Sequence, residues 1–276
     1  MKAKYVNPFT DFGFKKIFGE EASKPMLIDF LTSLLPETQI VDLTFKDKDK
    51  LGRSEDDRKA IYDIYCENNS GEKIIVELQK AKQNYFKDRT VYYATFPIQE
   101  QAAKGEWNYQ LKYVYCVGIL DFKFDDKVQN GSGEVIHTVQ LKDQKNQVFY
   151  EKLKFVYLEM PHFVKEEHKL ETRLDKWLYF IQRLENFQEI PDIFKDEVFI
   201  QAFKTAEIAQ YNEEERSSYE ASLKVYRDLK GVIDTAFEDG KKERNLEIAK
   251  KLKDKRINTD FIIETTGLTE DEIDKL

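Results

Sequence analysis

Cysteine is nearly absent: 276 residues contain only Cys66 and Cys116, each inside an apolar run and without CxxC spacing. A disulfide framework is thereby excluded, and buried, reduced thiols in a cytoplasmic protein are expected. Positive charge is not in excess either. With 44 Lys and Arg against 52 Asp and Glu, the net charge is -8 and the pI is near 5.2. A chain that coats polyanions through overall charge is excluded, so any contact with nucleic acid needs a local patch. No stretch approaches the roughly 18 apolar residues of a membrane span. Lys2 and Lys4 are followed by no apolar segment of signal-peptide length. The three histidines, His137, His162 and His168, form neither HExxH nor a Cys/His zinc pattern. GxSxG and GxxxxGK[ST] are missing, which removes the serine-hydrolase and P-loop NTPase classes.

Core-forming residues are plentiful. Aromatics make up 13% of the chain, with 20 Phe and 15 Tyr, enough to exclude global disorder. From Thr10 to Leu35, apolar residues at helical intervals predict two helices, the second starting near Ser23-Lys24-Pro25 and stopped by Pro36. Three β-branched and aromatic runs follow, 40–48, 59–68 and 73–80, and read as consecutive strands. Between the first two, Asp49 to Arg58 is polar and reads as a mobile loop. Phe86 to Lys104 has a helical rhythm, bent at Pro97 and closed by Gly105. The run 112–122 is apolar on both faces, as in an internal strand covered by helices. Strands at 135–141 and 154–160 follow a turn at Asn130-Gly131-Ser132-Gly133. Beyond Glu166 only helical periodicity remains, with a break expected at Gly240 and two short capped helices at the end. The fold class is therefore α/β. The expected organisation is a core over 1–165, a helical extension over 166–240 and a small helical tail over 241–276.

One strand pair carries chemistry. Period-two alternation puts Asp63 on the face of Ile61 and Tyr65, and it puts Glu77 with Ile75 and Gln79. If Asn68 to Glu72 forms the hairpin loop, Glu67 pairs with Lys73 and the same antiparallel register sets Asp63 opposite Glu77. Directly opposed Cβ atoms lie about 4.5–5.5 Å apart, where two carboxylates repel unless a cation lies between them. A hard divalent ion such as Mg²⁺, held by carboxylates with water and phosphate oxygens, answers that repulsion and suits phosphodiester hydrolysis.

Asp63 followed across a hairpin by Glu77-x-Gln79 resembles the PD-(D/E)XK nucleases. Thr10-Asp11-Phe12-Gly13-Phe14-Lys15-Lys16-Ile17-Phe18-Gly19, Val76-Glu77-Leu78-Gln79 and Arg89-x-x-Tyr92-Tyr93 resemble more narrowly the recombination-promoting nucleases, or transposases, of that superfamily. The resemblance implies a PD-(D/E)XK restriction-endonuclease-like core, with a four-stranded mixed sheet between helices. It also implies Mg²⁺-dependent (or Mn²⁺-dependent) DNA endonuclease activity linked to recombination or mobile elements. By the same resemblance Asp63 and Glu77 are metal ligands, Gln79 stands where the motif has Lys, and Asp11 is a further acidic contributor. Asp11 is equally suited to cap the helix after it.

Lys15, Lys16, Lys82 and Arg89 are the candidates for DNA-backbone contact. Lys80 points to the opposite face of its strand by parity. Tyr92 and Tyr93 suit base stacking or core packing. The tail from Lys241 suits homo-oligomerisation or regulation, since its acidic end, Glu270-Asp271-Glu272, opposes deep insertion in a DNA groove. The competing reading is a nuclease fold that cuts weakly or not at all and serves as a DNA-binding or assembly module, because an amide at position 79 brings no charge.

Overall fold

In a computed structural model, the protein is described over residues 3–46, 49–50, 60–102, 108–124 and 133–276. It divides into two compact units, Met1–Tyr226 and Arg227–Leu276.

The first unit opens with helices α1 (Asp11–Phe18) and α2 (Lys24–Leu34), as the apolar spacing predicts. Thr10, rather than Asp11, caps α1: its hydroxyl accepts from the Gly13 amide at 3.0 Å and donates to the Asn7 carbonyl at 2.7 Å. Asp11 is left in the first turn, where its charge complements the helix dipole. Strands β1 (Leu43–Phe45), β2 (Asp49–Lys50), β3 (Ala60–Ile61), β4 (Ile64–Asn68) and β5 (Lys73–Gln79) come next. The expected strand over 59–68 is thus interrupted at Tyr62 and Asp63. β3 pairs with β2 in a two-stranded sheet of its own, while β4 joins the main sheet. Of the loop expected over residues 49–58, Asp49 and Lys50 instead form β2, and residues 51–58 lie outside the described residues, as does residue 59 of the expected strand.

Helix α3 (Phe86–Glu100) contains Pro97 and ends before the expected Gly105, which also lies outside the described residues. Strand β6 (Val114–Leu120) is buried along its whole length, as an internal strand should be. Strands β7 (Ile136–Lys142) and β8 (Val148–Glu159) complete the sheet, β8 being longer than its apolar core suggested. The turn expected at residues 130–133 is described only at Gly133. The sheet order is β1-β4-β5-β6-β8-β7. Pairing is antiparallel from β1 to β5, parallel through β5, β6 and β8, and antiparallel again to β7. The helical crossover through α3 makes the β5–β6 pairing parallel. Six strands stand where the resemblance implies four.

Two apolar layers cover the sheet. On one face Ile64, Val76, Val117 and Leu158 pack with Phe14, Phe30, Trp177 and Phe203. The last two come from α4 (Arg173–Arg183) and α5 (Glu197–Ala206). On the other face Tyr65, Ile75, Cys116 and Tyr157 pack with Phe86 and Ala94 of α3. Alternate residues of β5 therefore enter opposite layers, as a period of two requires. Asp29 ties α2 to α4, accepting from Arg173 Nε at 2.6 Å and from Trp177 Nε1 at 2.8 Å.

Helix α6 (Glu213–Asp254) runs without interruption through Gly240, where a break was expected. A single interior glycine costs a helix only about 1 kcal/mol, and flanking pairs such as Arg244–Glu247 and Glu247–Lys251 support the turns that follow. Its first turns brace α1: the Tyr219 hydroxyl accepts from the Asn7 amide at 3.0 Å, and Lys16 meets Glu215 at 2.7 Å. In the second unit, α7 (Thr259–Thr266) and α8 (Glu270–Asp274) pack Ile262, Leu268 and Ile273 around Ala249. Asn258 and the Thr269–Glu272 capping box start these helices, and Gly267 ends α7 at φ 68°, each where the sequence signals stand. No helix among the described residues is long and apolar enough to cross a membrane.

Candidate active site

The hairpin register is the expected one. Glu67 pairs with Lys73, Cys66 with Ile74, Tyr65 with Ile75 and Ile64 with Val76. Asn68 builds the turn: its carbonyl accepts from the Gly71 amide at 2.9 Å, and its side chain accepts from the Ser70 and Glu72 amides at 3.0 and 2.9 Å. One step past Ile64 the strand gives way to a bend, and Asp63 stands in it opposite Glu77.

The two carboxylates are connected through the backbone. The Asp63 amide donates to Glu77 Oε1 at 3.3 Å, and the Leu78 amide donates to Asp63 Oδ2 at 2.7 Å. Burial raises the pKa of both groups. For Glu77, burial and then the negative charge of Asp63 push it up to about 8, against the opposing pull of the Asp63 amide, Arg89 and Lys15. For Asp63, burial outweighs the Leu78 amide and the positive charges of Lys15 and Lys80, with Asp11 adding repulsion. Two desolvated carboxylates side by side form a poor resting arrangement and a good seat for positive charge.

Asp11 and Lys15 reach this place from α1, some fifty residues upstream. They form an ion pair at 2.8 Å, and the charges of both act on Asp63. The charge of Lys80 also acts on Asp63. Strand parity sends it away from Gln79, but β5 stops at Gln79 and Asp63 sits in a bend, so parity does not keep them apart. Burial lowers the pKa of the Lys80 ammonium, while Asp11 and Asp63 pull it upward.

On the α3 side, Gln79 Nε2 is 3.5 Å from Glu77 Oε2. Its Oε1 accepts from Arg89, which also donates to Gln83 Oε1 at 2.5 Å. Arg89, expected on the DNA backbone, is thus drawn into the protein's own hydrogen bonds. Gln83 is not singled out by the sequence; its position four residues beyond Gln79, before an aromatic helix, is too weak a signal. Tyr93 belongs to the site as well as to the packing. Its hydroxyl is hydrogen-bonded by the Ile61 amide and feels Glu77 and Asp63, and its backbone carbonyl accepts from the Tyr62 hydroxyl at 3.0 Å. Tyr92 is exposed and edge-on to Phe96. Lys82 is exposed between β5 and α3, and Lys16 is shared between Glu20 and Glu215.

The donor set fits a hard divalent cation. Asp63 and Glu77 offer only oxygen, and the cost of burying two neighbouring carboxylates, which holds both above their ordinary range, is one that such an ion would relieve. Among the described residues no three His, Cys, Asp or Glu side chains are grouped to share a metal. Water and phosphate oxygens would therefore complete the coordination. His137 is elsewhere, its Nε2 2.9 Å from Glu159 Oε1. Both cysteines are buried, and burial alone pushes the Cys66 thiol up to about 12, which leaves it inert.

A family model described as PD-(D/E)XK nuclease family transposase matches residues 8–236. That range takes in α1, the whole sheet, α3 and every site residue above. The mixed sheet between helical layers agrees with the α/β core expected of such nucleases. Neither the curated proteins nor the solved structures contain a match.

Proposed function

This chain belongs to the PD-(D/E)XK nuclease family of transposases, and on that footing we propose that it is a Mg²⁺-dependent DNA endonuclease acting in recombination or mobile-element biology. The observation that carries the reading is the Asp63–Glu77 pair, two half-buried carboxylates linked by the Asp63 and Leu78 amides, whose burial and mutual repulsion hold the Glu77 carboxyl above its ordinary range. Asp63 and Glu77 would hold Mg²⁺, or Mn²⁺ in its place. Bound there, the cation supplies a water of lowered pKa and neutralises charge building on the scissile phosphate.

The chain's own side chains do the rest. Gln79 orients the attacking water or a phosphate oxygen through its amide. Asp11, by pairing with Lys15, keeps that ammonium beside the carboxylates. Lys82 and Lys15 are assigned to the DNA backbone, and Lys16 is the weakest candidate because two glutamates already occupy it. Reduced, inert thiols fit a cytoplasmic setting. The unit Arg227–Leu276, with its capped helices, is assigned to oligomerisation or regulation.

Incubation with supercoiled plasmid and Mg²⁺ tests the proposal. Nicked or linear product that disappears in Asp63→Ala supports it, and equal cleavage by that variant rejects the site. The second reading, a DNA-binding or assembly module that does not cut, is favoured by one observation: position 79 carries a neutral amide. DNA binding in chelator without cleavage in either Mg²⁺ or Mn²⁺ would select it.

A further inference from the structure

Arg89 was expected to lie along a DNA strand, yet both of its terminal nitrogens are engaged by amide oxygens of the chain, Gln79 Oε1 and Gln83 Oε1. Its guanidinium lies 5.7 Å from the Phe86 ring centroid and 5.9 Å from that of Tyr93, so its plane is supported by the aromatic layer under α3. We propose, building on the nuclease reading, that Arg89 is a positioning residue of the carboxylate site: it locks the Gln79 amide with Nε2 toward Glu77 and supplies, from α3, the positive charge that position 79 lacks.

Donor and acceptor chemistry fixes the orientation of the Gln79 amide. A guanidinium only donates, so the amide beside it must present oxygen, and the reverse orientation would set N–H against N–H. With Oε1 committed to Arg89, Nε2 has one direction left, and Glu77 Oε2 lies there at 3.5 Å. The amide becomes a fixed donor beside the carboxylate instead of a side chain free to flip. Its N–H is also polarised by the cation behind it, since hydrogen bonds in series strengthen one another. The charge itself reaches the carboxylate, because Arg89 is among the groups that act on Glu77 and on Tyr93. A lysine would have to meet both oxygens with one nitrogen, whereas the planar fork of Arg gives Gln79 and Gln83 a nitrogen each.

Three measurements on the full chain test this. Plasmid cleavage in Mg²⁺ gives kcat and KM, and DNA affinity in chelator against salt gives the number of phosphate contacts. The ¹H–¹⁵N spectrum of the metal-free protein reports the Gln79 side-chain amide. Arg89→Ala is expected to lower kcat at least tenfold with KM and the salt slope as in the unsubstituted chain, and to move the Gln79 amide signals. Adding Gln79→Lys to Arg89→Ala is expected to recover cleavage at least fivefold. Arg89→Lys should fall between, and it replaces Arg89→Ala if the latter does not fold; Arg89→Lys behaving as the unsubstituted chain overturns the proposal. A salt slope reduced by about one with kcat intact would return Arg89 to the DNA backbone. Unmoved Gln79 signals would show that the two side chains are not coupled. A chain that does not cut at all defeats the nuclease reading, and the Gln79 signals still decide the role of Arg89.

Discussion

The backbone amide of Asp63 donates to the carboxylate of Glu77 at 3.3 Å across the β4–β5 hairpin. The Leu78 amide returns a bond to Asp63 at 2.7 Å, so the strand that presents one acid also secures the other. This reciprocity ties both side chains to the hairpin backbone. It also makes the pair strained electrostatically, because two amide donors do not offset two desolvated charges. The consequences are measurable.

Removing one charge should separate function from stability. Glu77→Gln and Asp63→Asn keep the shape and an acceptor oxygen for the amide facing each. Both are expected to lower Mg²⁺-dependent cleavage by roughly 10²-fold or more. In metal-free buffer at pH 8 both should melt higher than the unsubstituted chain, since like-charge repulsion is relieved. Calorimetry alongside the cleavage assay checks this, and a lower melting temperature for both variants would contradict it.

The pH dependence has a definite sign. Glu77 is raised from an ordinary 4.5 to about 8 in the folded chain. Its protonated form therefore contributes stability that is complete below pH 4.5 and is lost as pH rises through 8. Metal-free protein should lose melting temperature across that window relative to Glu77→Gln. Mg²⁺ at pH 8 should restore it by binding only the folded, ionised pair, with protons released on binding. Differential scanning calorimetry at several pH values, with and without Mg²⁺, measures both effects.

Gly118 of β6 lies beside Glu77 in the parallel register, and a Cβ there would come within 2.9 Å of the Tyr157 ring. That ring is held by Phe86, Phe124 and Phe155, and its hydroxyl meets Thr90 of α3 at 2.8 Å. It cannot retreat without disturbing the helix that carries Arg89. Gly118→Ala is expected to cost about 1–3 kcal/mol, read from urea unfolding, and to weaken cleavage as well.

The opposite sign is expected at Gly240. It lies inside α6, and a methyl group added there would meet nothing within 4 Å. Gly240→Ala should therefore stabilise the helix locally by about 0.5–1 kcal/mol. Amide exchange around residue 240 should slow about 2–5-fold. Faster exchange would mean that the helix needs the glycine.

Much of the site's immediate frame could be read in one dimension. The Asn68–Glu72 turn sets the hairpin register, and with it the opposition of residues 63 and 77. Alternation of two places Ile75, Glu77 and Gln79 together, and the caps at Asn258 and Thr269 start the last helices where their side chains can accept. These features depend on groups within a few residues of one another, so residue identity and spacing specify them.

What surrounds the carboxylates had another origin. The break at Tyr62–Asp63 falls where the chain passes from one sheet to the other, and the charge of Lys80 acts on Asp63 there despite strand parity. Asp11 and Lys15 arrive on a helix braced by α6, about two hundred residues away, and Arg89 meets Gln79 from α3, the connection between β5 and β6. Such neighbours are chosen by burial of whole elements against each other. That choice sums many small apolar contacts, and no local pattern of residues encodes it.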